Sequence, residues 1–474
     1  MKTKERGNNT SDKHLIYFYK LCCFSCVIIF NPVLAQQAET TMDSDKARTQ
    51  EHMEEQQTPQ PESLQNDNAE HTAVTNKASK SGYQEMQEFG GPSSVTGVLK
   101  EDDTVKQTLF RFDGMRQVFK PYFDFKAKLK SDFGLSLGAD YTALYQWANQ
   151  SLGADDAAGG IFRFYGDWTW FGRESGNTGS FVFKVENRHR IGTQISPKDL
   201  GFEMGYAGFT APIYADYSWG VTNLFWRQRF LEGRVSLVAG ILDVTDYLDV
   251  YGMVNPWTSF NNLAFLTSAT IPAPNQGLGV GIGAMLTDNI YLIAGFADTN
   301  GDPANFTDNF DTFFNDGEYF THIEIGWTSA QDSIYLDNVH ITAWHADKRE
   351  QALTPEGWGI SFSAATYLDE KWMPFLRGGY AKDGGALWEG TVSLGLGYRT
   401  TQSDLLGVGL NWSRPSESSF SPGLSDQYTM EVFYRFQLTE NFALTPDIQL
   451  IIDPALNPEV NSIWVLGMRA RLSL

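Results

Sequence analysis

The chain has little cysteine. Its three, Cys22, Cys23 and Cys26, all lie in the first thirty of 474 residues. Everything after Cys26 therefore lacks both disulfides and thiol chemistry. Long apolar runs are also missing. No stretch reaches the roughly 18 apolar residues of a membrane helix. That excludes spanning by helices but not by strands, whose hydropathy signal is weak. Positive charge is scarce, with 36 Lys and Arg against 57 Asp and Glu. Such a balance argues against nucleic acid or an anionic membrane surface as partner, and acidic external loops explain it more plainly. No Gly-x-Ser-x-Gly, Walker or zinc motif occurs. No Ser/His/Asp or paired-acid grouping marks one rim, so the sequence offers neither an enzyme site nor a cofactor site. His340 and His345 fall on opposite faces of one strand and make no metal set. Asp298-Thr299-Asn300-Gly301-Asp302 opens like a calcium loop, but Pro303 and Asn309 stand where an EF-hand places glycine and glutamate. A solvated acidic loop over Asp298–Asp311 is the better expectation.

What is present begins with a secretory pattern. Lys2, Lys4, Arg6, Lys13 and Lys20 precede and enter the apolar stretch Leu21–Phe30, and Val33-Leu34-Ala35 forms a small-residue cleavage site. The expectation is a signal peptide over residues 1–35 and export to the Gram-negative outer membrane. No cysteine follows the cleavage site, so a lipid anchor there is not expected. Removing five basic and two acidic residues from the totals leaves 31 against 55, a net charge of −24. Residues 36–103 are polar and poor in large apolar side chains, as in Glu51-His52-Met53-Glu54-Glu55-Gln56-Gln57. Such a stretch cannot bury enough surface to fold alone, and a disordered periplasmic extension is expected. Residues 104–132 read equally as a short helix around Phe119 and Phe123 or as a strand alternating from Phe123 to Leu129. They form a pre-barrel segment.

From residue 133 to 474 the dominant pattern is alternation in twos. Tyr428, Met430, Val432, Tyr434, Phe436 and Leu438 alternate with Thr429, Glu431, Phe433, Arg435 and Gln437. Successive strand residues point to opposite faces, so one face is apolar and the other carries charge. Phe442–Asp453 and Trp464–Leu474 repeat the pattern. Eleven residues at about 3.3 Å, tilted by about 40°, rise roughly 28 Å, close to the apolar band of an outer-membrane barrel. Tyr428 and Phe436 suit girdles at the two interfaces. Sixteen such runs can be counted, an even number in the porin range. The links alternate short and long, as periplasmic turns and external loops do. Ser329–Asp337 and Asp383–Ala386 break that rule. The longest link, Asp243–Gln276, is long enough to fold inward and narrow a pore. The fold class is all-β, a transmembrane antiparallel β-barrel of about 16 strands with a polar lumen.

Several segments resemble the carbohydrate-selective porins of the OprB family. They are Pro374-Phe375-Leu376-Arg377-Gly378-Gly379-Tyr380, Gly395-Leu396-Gly397-Tyr398, Gly407-Val408-Gly409-Leu410-Asn411-Trp412, Glu431-Val432-Phe433-Tyr434-Arg435 and Leu444–Ile452. Asn255-Pro256-Trp257, Phe260-Asn261-Asn262 and Gly295–Gly301 look similar too. The resemblance covers most of residues 133–474 and implies a sixteen-stranded barrel for passive sugar uptake. The chain departs from the family by ending on Leu474, not an aromatic, and by its longer acidic extension.

A sugar-selective pore needs charged or amide groups to replace water on hydroxyls, and aromatics for ring faces. It must also bind weakly enough to release. Lys184, Glu186, Arg188 and Arg190 form the densest charged stripe on any strand. Glu431 with Arg435, and Arg227 with Arg229, form two more; Arg377, Arg399 and Arg469 can join them. Set around one constriction, both signs would orient a dipolar solute without trapping ions. Single residues among them read better as charges bracing the barrel wall. On the third strand the same alternation turns Asn187 and His189 toward lipid. Expected partners are small carbohydrates and outer-membrane lipid, with no nucleic acid. The sequence leaves subunit number open between monomer and homo-oligomer. A general or other-solute porin, an outer-membrane barrel enzyme and a structural or adhesive barrel are the competing readings.

Overall fold

The computed structural model describes residues 89–110 and 113–474, and side chains from residue 119 onward in the second span. The expected leader, its cleavage site and most of the expected extension lie outside the described residues. Among the described residues, sixteen strands form one closed antiparallel barrel. They are β1 (Leu135–Ala148), β2 (Asp156–Phe171), β3 (Gly179–Arg190), β4 (Ser218–Phe230), β5 (Val235–Leu242), β6 (Gly277–Met285), β7 (Ile290–Asp298) and β8 (Tyr319–Thr328). β9 (Asn338–Ala346), β10 (Gly357–Ala365), β11 (Trp372–Asp383), β12 (Trp388–Arg399), β13 (Leu405–Pro415), β14 (Gln427–Gln437), β15 (Phe442–Ile452) and β16 (Ser462–Ser473) complete it. Each strand pairs with its sequence neighbours, and β16 closes on β1 from Asp140↔Ser473 to Ala148↔Val465. Closure removes the free sheet edges that lipid could not satisfy.

Alternation decides which side chain meets which solvent. On β16, Trp464, Leu466, Met468 and Leu472 point out, while Arg469, Arg471 and Ser473 are buried inside. On β3 the inward residues are Ser180, Val182, Lys184, Glu186 and Arg188. Outward Asn187 and His189 sit near the external end. His189 hydrogen-bonds the Tyr141 hydroxyl (3.1 Å) and the Asn187 side-chain amide oxygen (2.9 Å), which gives both of its ring nitrogens a partner. Aromatic pairs mark both ends of the wall. Trp168 and Trp170, Trp170 and Trp226, and Trp372 and Tyr398 meet at the end with short turns. Trp358 and Tyr380 meet at the other end. By the turn-length rule, the first is the periplasmic end.

The two irregular links have physical reasons. The periplasmic link after β8 is long because it folds back into the barrel mouth, burying Ile334, Tyr335 and Leu336. The external link after β11 is short because the loop of residues 191–217 already covers that place. Trp388, wholly buried, donates its indole N–H to the Ala207 carbonyl (2.5 Å).

The expected boundary of the extension is corrected by helix α1 (Val95–Asp103), which lies inside the barrel. Ser94 caps it by accepting from the Gly97 N–H (3.2 Å). Val95, Val98 and Leu99 share one face, as helical spacing requires. They pack on Leu144, Ile161, Tyr165, Val182 and Trp257. Burying three such side chains contributes roughly 5 kcal/mol before ordering entropy is subtracted. The apolar surface that folds α1 belongs to the barrel. Residues 104–110 then run along the periplasmic rim, where Leu109 and Phe110 donate backbone N–H groups to Gln437 and Leu438 carbonyls. Of the two readings of residues 104–132, the helical one holds for α2 (Asp113–Lys128), which continues into a π turn, Leu129–Phe133, before β1.

Candidate functional site: the lumen and the segments that fill it

The connection from Asp243 to Gln276 enters the lumen and meets much of its circumference. Its anchor is Asp249, a non-glycine residue at φ 55°. That carboxylate accepts from Arg377 on β11, from His340 on β9 (3.2 Å), from Ser361 on β10 (3.2 Å) and from the Ser268 N–H (3.2 Å). The Asp249 N–H donates to Glu324 on β8 (2.8 Å), which also accepts from Thr342 (2.7 Å) and Tyr291 (3.1 Å). Four adjacent strands are thus tied to one loop residue. Farther along, Asn261 and Asn262 donate backbone N–H groups to Glu431 (2.7 and 2.9 Å), and Asn262 donates its side-chain amide to Gln449 (2.9 Å). Arg469 donates to the Pro256 and Ser259 carbonyls and to the Asn261 amide oxygen (2.7, 2.6 and 2.8 Å). The short helix Leu263–Leu266 places Phe265 over Gly409 of β13, where a Cβ would come within 2.6 Å of the ring. An inward glycine makes that approach possible.

Helix α1 holds the opposite arc. Asp102 accepts from Arg471 on β16 (2.9 Å) and from the Tyr165 hydroxyl on β2 (2.7 Å). Arg471 also donates to Asp140 on β1 (2.9 Å), and Asp140 accepts from Arg163 on β2 (2.8 Å). The Arg163 guanidinium lies 3.5 Å over the Trp257 ring, a cation–π contact to the inward loop. Burial works to raise the Asp102 carboxyl, but Arg471 and Lys106 outweigh it and hold it well below the usual range.

The residues chosen from sequence are spread along the lumen from the external rim to the periplasmic turn. Lys184, Glu186 and Arg188 form one buried cluster. Arg188 donates to Glu186 (2.7 Å) and to the Ile213 carbonyl (2.8 Å), and Lys184 lies 3.9 Å from Asp246 of the inward loop. Arg190 sits above them at the external rim, half-exposed, on Asp216 (2.5 Å). Arg227 is buried below, donating to Asp167 on β2 (2.6 Å) and to the Thr96 hydroxyl of α1 (2.9 Å). Arg229 is half-buried beside the periplasmic turn at Gly233. Glu431 receives the tip of the inward loop, and Arg435 binds Glu101 of α1 (2.7 Å). The eight do not encircle one ring. Lys184 and Glu431 meet the inward loop, Arg227 and Arg435 meet α1, and Arg188 and Arg190 meet the loop of residues 191–217. Asp140, Asp167, Asp249 and Glu324 complete the charge balance and were not singled out by sequence reading: Asp140 and Glu324 are single acids on β1 and β8, Asp167 shares β2 with Asp156, and nothing marks Asp249 among Asp243 and Asp246 of the same loop. For the three strand residues the one signal is position on the inward face. In the external loop, Asp298 and Asp302 accept from Asn300, Thr312, Ala304 and Asn305, donors of the same loop.

Asp246 links both segments: its backbone carbonyl accepts from Gly91, and its carboxylate accepts from Ser93 (3.4 Å) and Asn223 (3.1 Å). Burial raises its carboxyl to about 6, against the opposing pull of Lys184 and with a further push from Asp243. A raised value means the folded state holds the proton more tightly than the unfolded chain. Its stabilising contribution is full below 3.8 and is lost as pH rises through about 6. The expected result is a wild-type thermal midpoint that gains stability on acidification from pH 7 toward pH 4 relative to Asp246→Asn. Parallel melting curves for the two proteins would contradict it.

A closed barrel of this size, apolar outside and charged within, with an inward-folded loop, defines a porin. The chain belongs to the carbohydrate-selective porin, OprB family, which matches residues 177–354 and 337–474. It is 21% identical over 361 residues to the porin AaxA of Chlamydia abortus, covering 73% of this chain and 78% of the relative. It is 22% identical over 369 residues to the porin AaxA of Chlamydia felis, covering 73% and 79%. Among solved structures, the high-pH structure of Pseudomonas putida OprB superposes with a TM-score of 0.58 at 13% identity, over 74% of this chain and 97% of that one.

Proposed function

We propose that this carbohydrate-selective porin sits in the outer membrane after loss of residues 1–35 and passes small sugars past Lys184, Glu186 and Arg188. One observation carries this reading. Inside the barrel, acidic and basic groups are paired with each other and with segments that enter the lumen, not with the wall alone. Such pairs give little net field to attract ions. Each donor and acceptor can instead be lent to a sugar hydroxyl as a loop contact gives way. Binding stays weak because each new bond replaces one already made. The family and fold define a channel, and no turnover is required of it.

Planar-bilayer recording tests this. Small sugars should block the ion current, and Glu186→Gln should raise the half-blocking concentration about tenfold, equivalent to about 1.4 kcal/mol of lost binding. Current that no sugar reduces would leave a general porin. Unchanged block in Glu186→Gln would return the third-strand stripe to a bracing role.

A further inference from the structure

Between the arm that leads into and out of α1 and the inward loop lies a chamber of ≈ 190 Å³. It is at the periplasmic end, since the β12–β13 turn residues Gln402 and Ser403 form one side. Its volume is roughly ten times the room one water needs. Its wall mixes apolar surface from Leu336 and Leu405 with Glu101, Lys106, Asn255 and Thr258. Tyr335 adds an aromatic ring, held in place by its hydroxyl on the Phe89 carbonyl. Concave shape, apolar lining and a few convergent polar groups are the marks of a small-molecule site. The polar groups are fixed in advance. Asn255 donates to the Pro92 carbonyl (3.2 Å) and to Glu101 (3.3 Å). Arg435 donates to Glu101 (2.7 Å) and Gln437 (3.0 Å), while its buried Nε has no acceptor in the protein.

We infer that this chamber is an exit-side subsite for a single hexose ring, with the N-terminal arm as one of its walls. This rests on the sugar-porin reading above and adds a place and a size limit to it. Sugar hydroxyls can accept from Lys106 and Arg435 and donate to Glu101, and a ring face can meet Tyr335. α1 thereby acts as part of a binding site as well as a filler of the lumen. A trisaccharide is too long to lie wholly within the chamber and enters it with one ring at most.

The test uses the full chain carrying Thr258→Cys, and separately Gln402→Cys on the opposite side of the chamber. Reaction with a water-soluble methanethiosulfonate is followed by mass spectrometry of the peptide concerned, with and without saturating glucose or maltotriose. Glucose should slow modification several-fold at either position, and maltotriose should slow it less. Should Thr258→Cys fail to fold, the exposed Gln402→Cys carries the test alone. Glucose block of the wild-type current with no protection of either cysteine would overturn the chamber and leave the porin reading standing. Absence of glucose block in the wild type would remove both.

Discussion

Asp140→Ala should destabilise the barrel by about 3–5 kcal/mol, the range for removing one partner of a buried ion pair. Asp140 is 2% exposed and accepts from two guanidinium groups, Arg163 and Arg471. Its loss leaves both facing each other across β1 without the carboxylate between them. Arg163→Met should cost clearly less, because Asp140 then still holds Arg471 and the methionine can lie on Trp257. The ordering of the two variants is the sharper part of the expectation. Thermal midpoints read from the gel shift between folded and heated barrels would measure it. Equal midpoints for Asp140→Ala and wild type would show that the ladder contributes nothing.

Asp249→Ala should act differently, on the pore more than on the wall. Asp249 belongs to the inward loop, yet it receives Arg377, His340 and Ser361 from three adjacent strands. Removing its carboxylate frees one side of the loop while every ladder of the barrel remains paired. Arg377 keeps the Asp249 backbone carbonyl (2.8 Å) and its contact with the Tyr251 ring (4.6 Å), so the barrel still folds. Single-channel conductance should rise several-fold, and its block by sugars should weaken, as the filling segment moves aside. A variant with wild-type conductance and wild-type sugar block would mean that the loop is held elsewhere.

Much of this architecture was legible in the order of residues, because a membrane wall leaves little freedom. Each strand needs an unbroken apolar face for lipid, so Tyr428, Met430, Val432 and Tyr434 announce the strand and its outward side together. Strand ends followed to within a few residues, since turn residues such as Glu232-Gly233 and Asn441 punctuate the pattern. What the pattern could not show was how the lumen is filled. An inward charge reads the same whether it meets water, a sugar or another segment. Glu431 and Arg435 lie four residues apart on one face of β14, yet one holds Asn261 and Asn262 while the other holds Glu101 of α1. Nothing local to β14 distinguishes those fates. Helix α1 escaped notice for a related reason. Its three buried apolar residues are too few to signal a fold among polar neighbours, and the surface that orders them is provided by β1, β2 and β3. Only assembly of the barrel brings the two together.

Liposome swelling addresses the central claim most directly, because it measures passage of the uncharged solute itself. Vesicles carrying the refolded protein should swell quickly in hexose, more slowly in disaccharide and scarcely in larger oligosaccharides. Vesicles that do not swell in hexose, or that swell at one rate whatever the size of the sugar, would contradict a narrow, carbohydrate-selective conduit through this barrel.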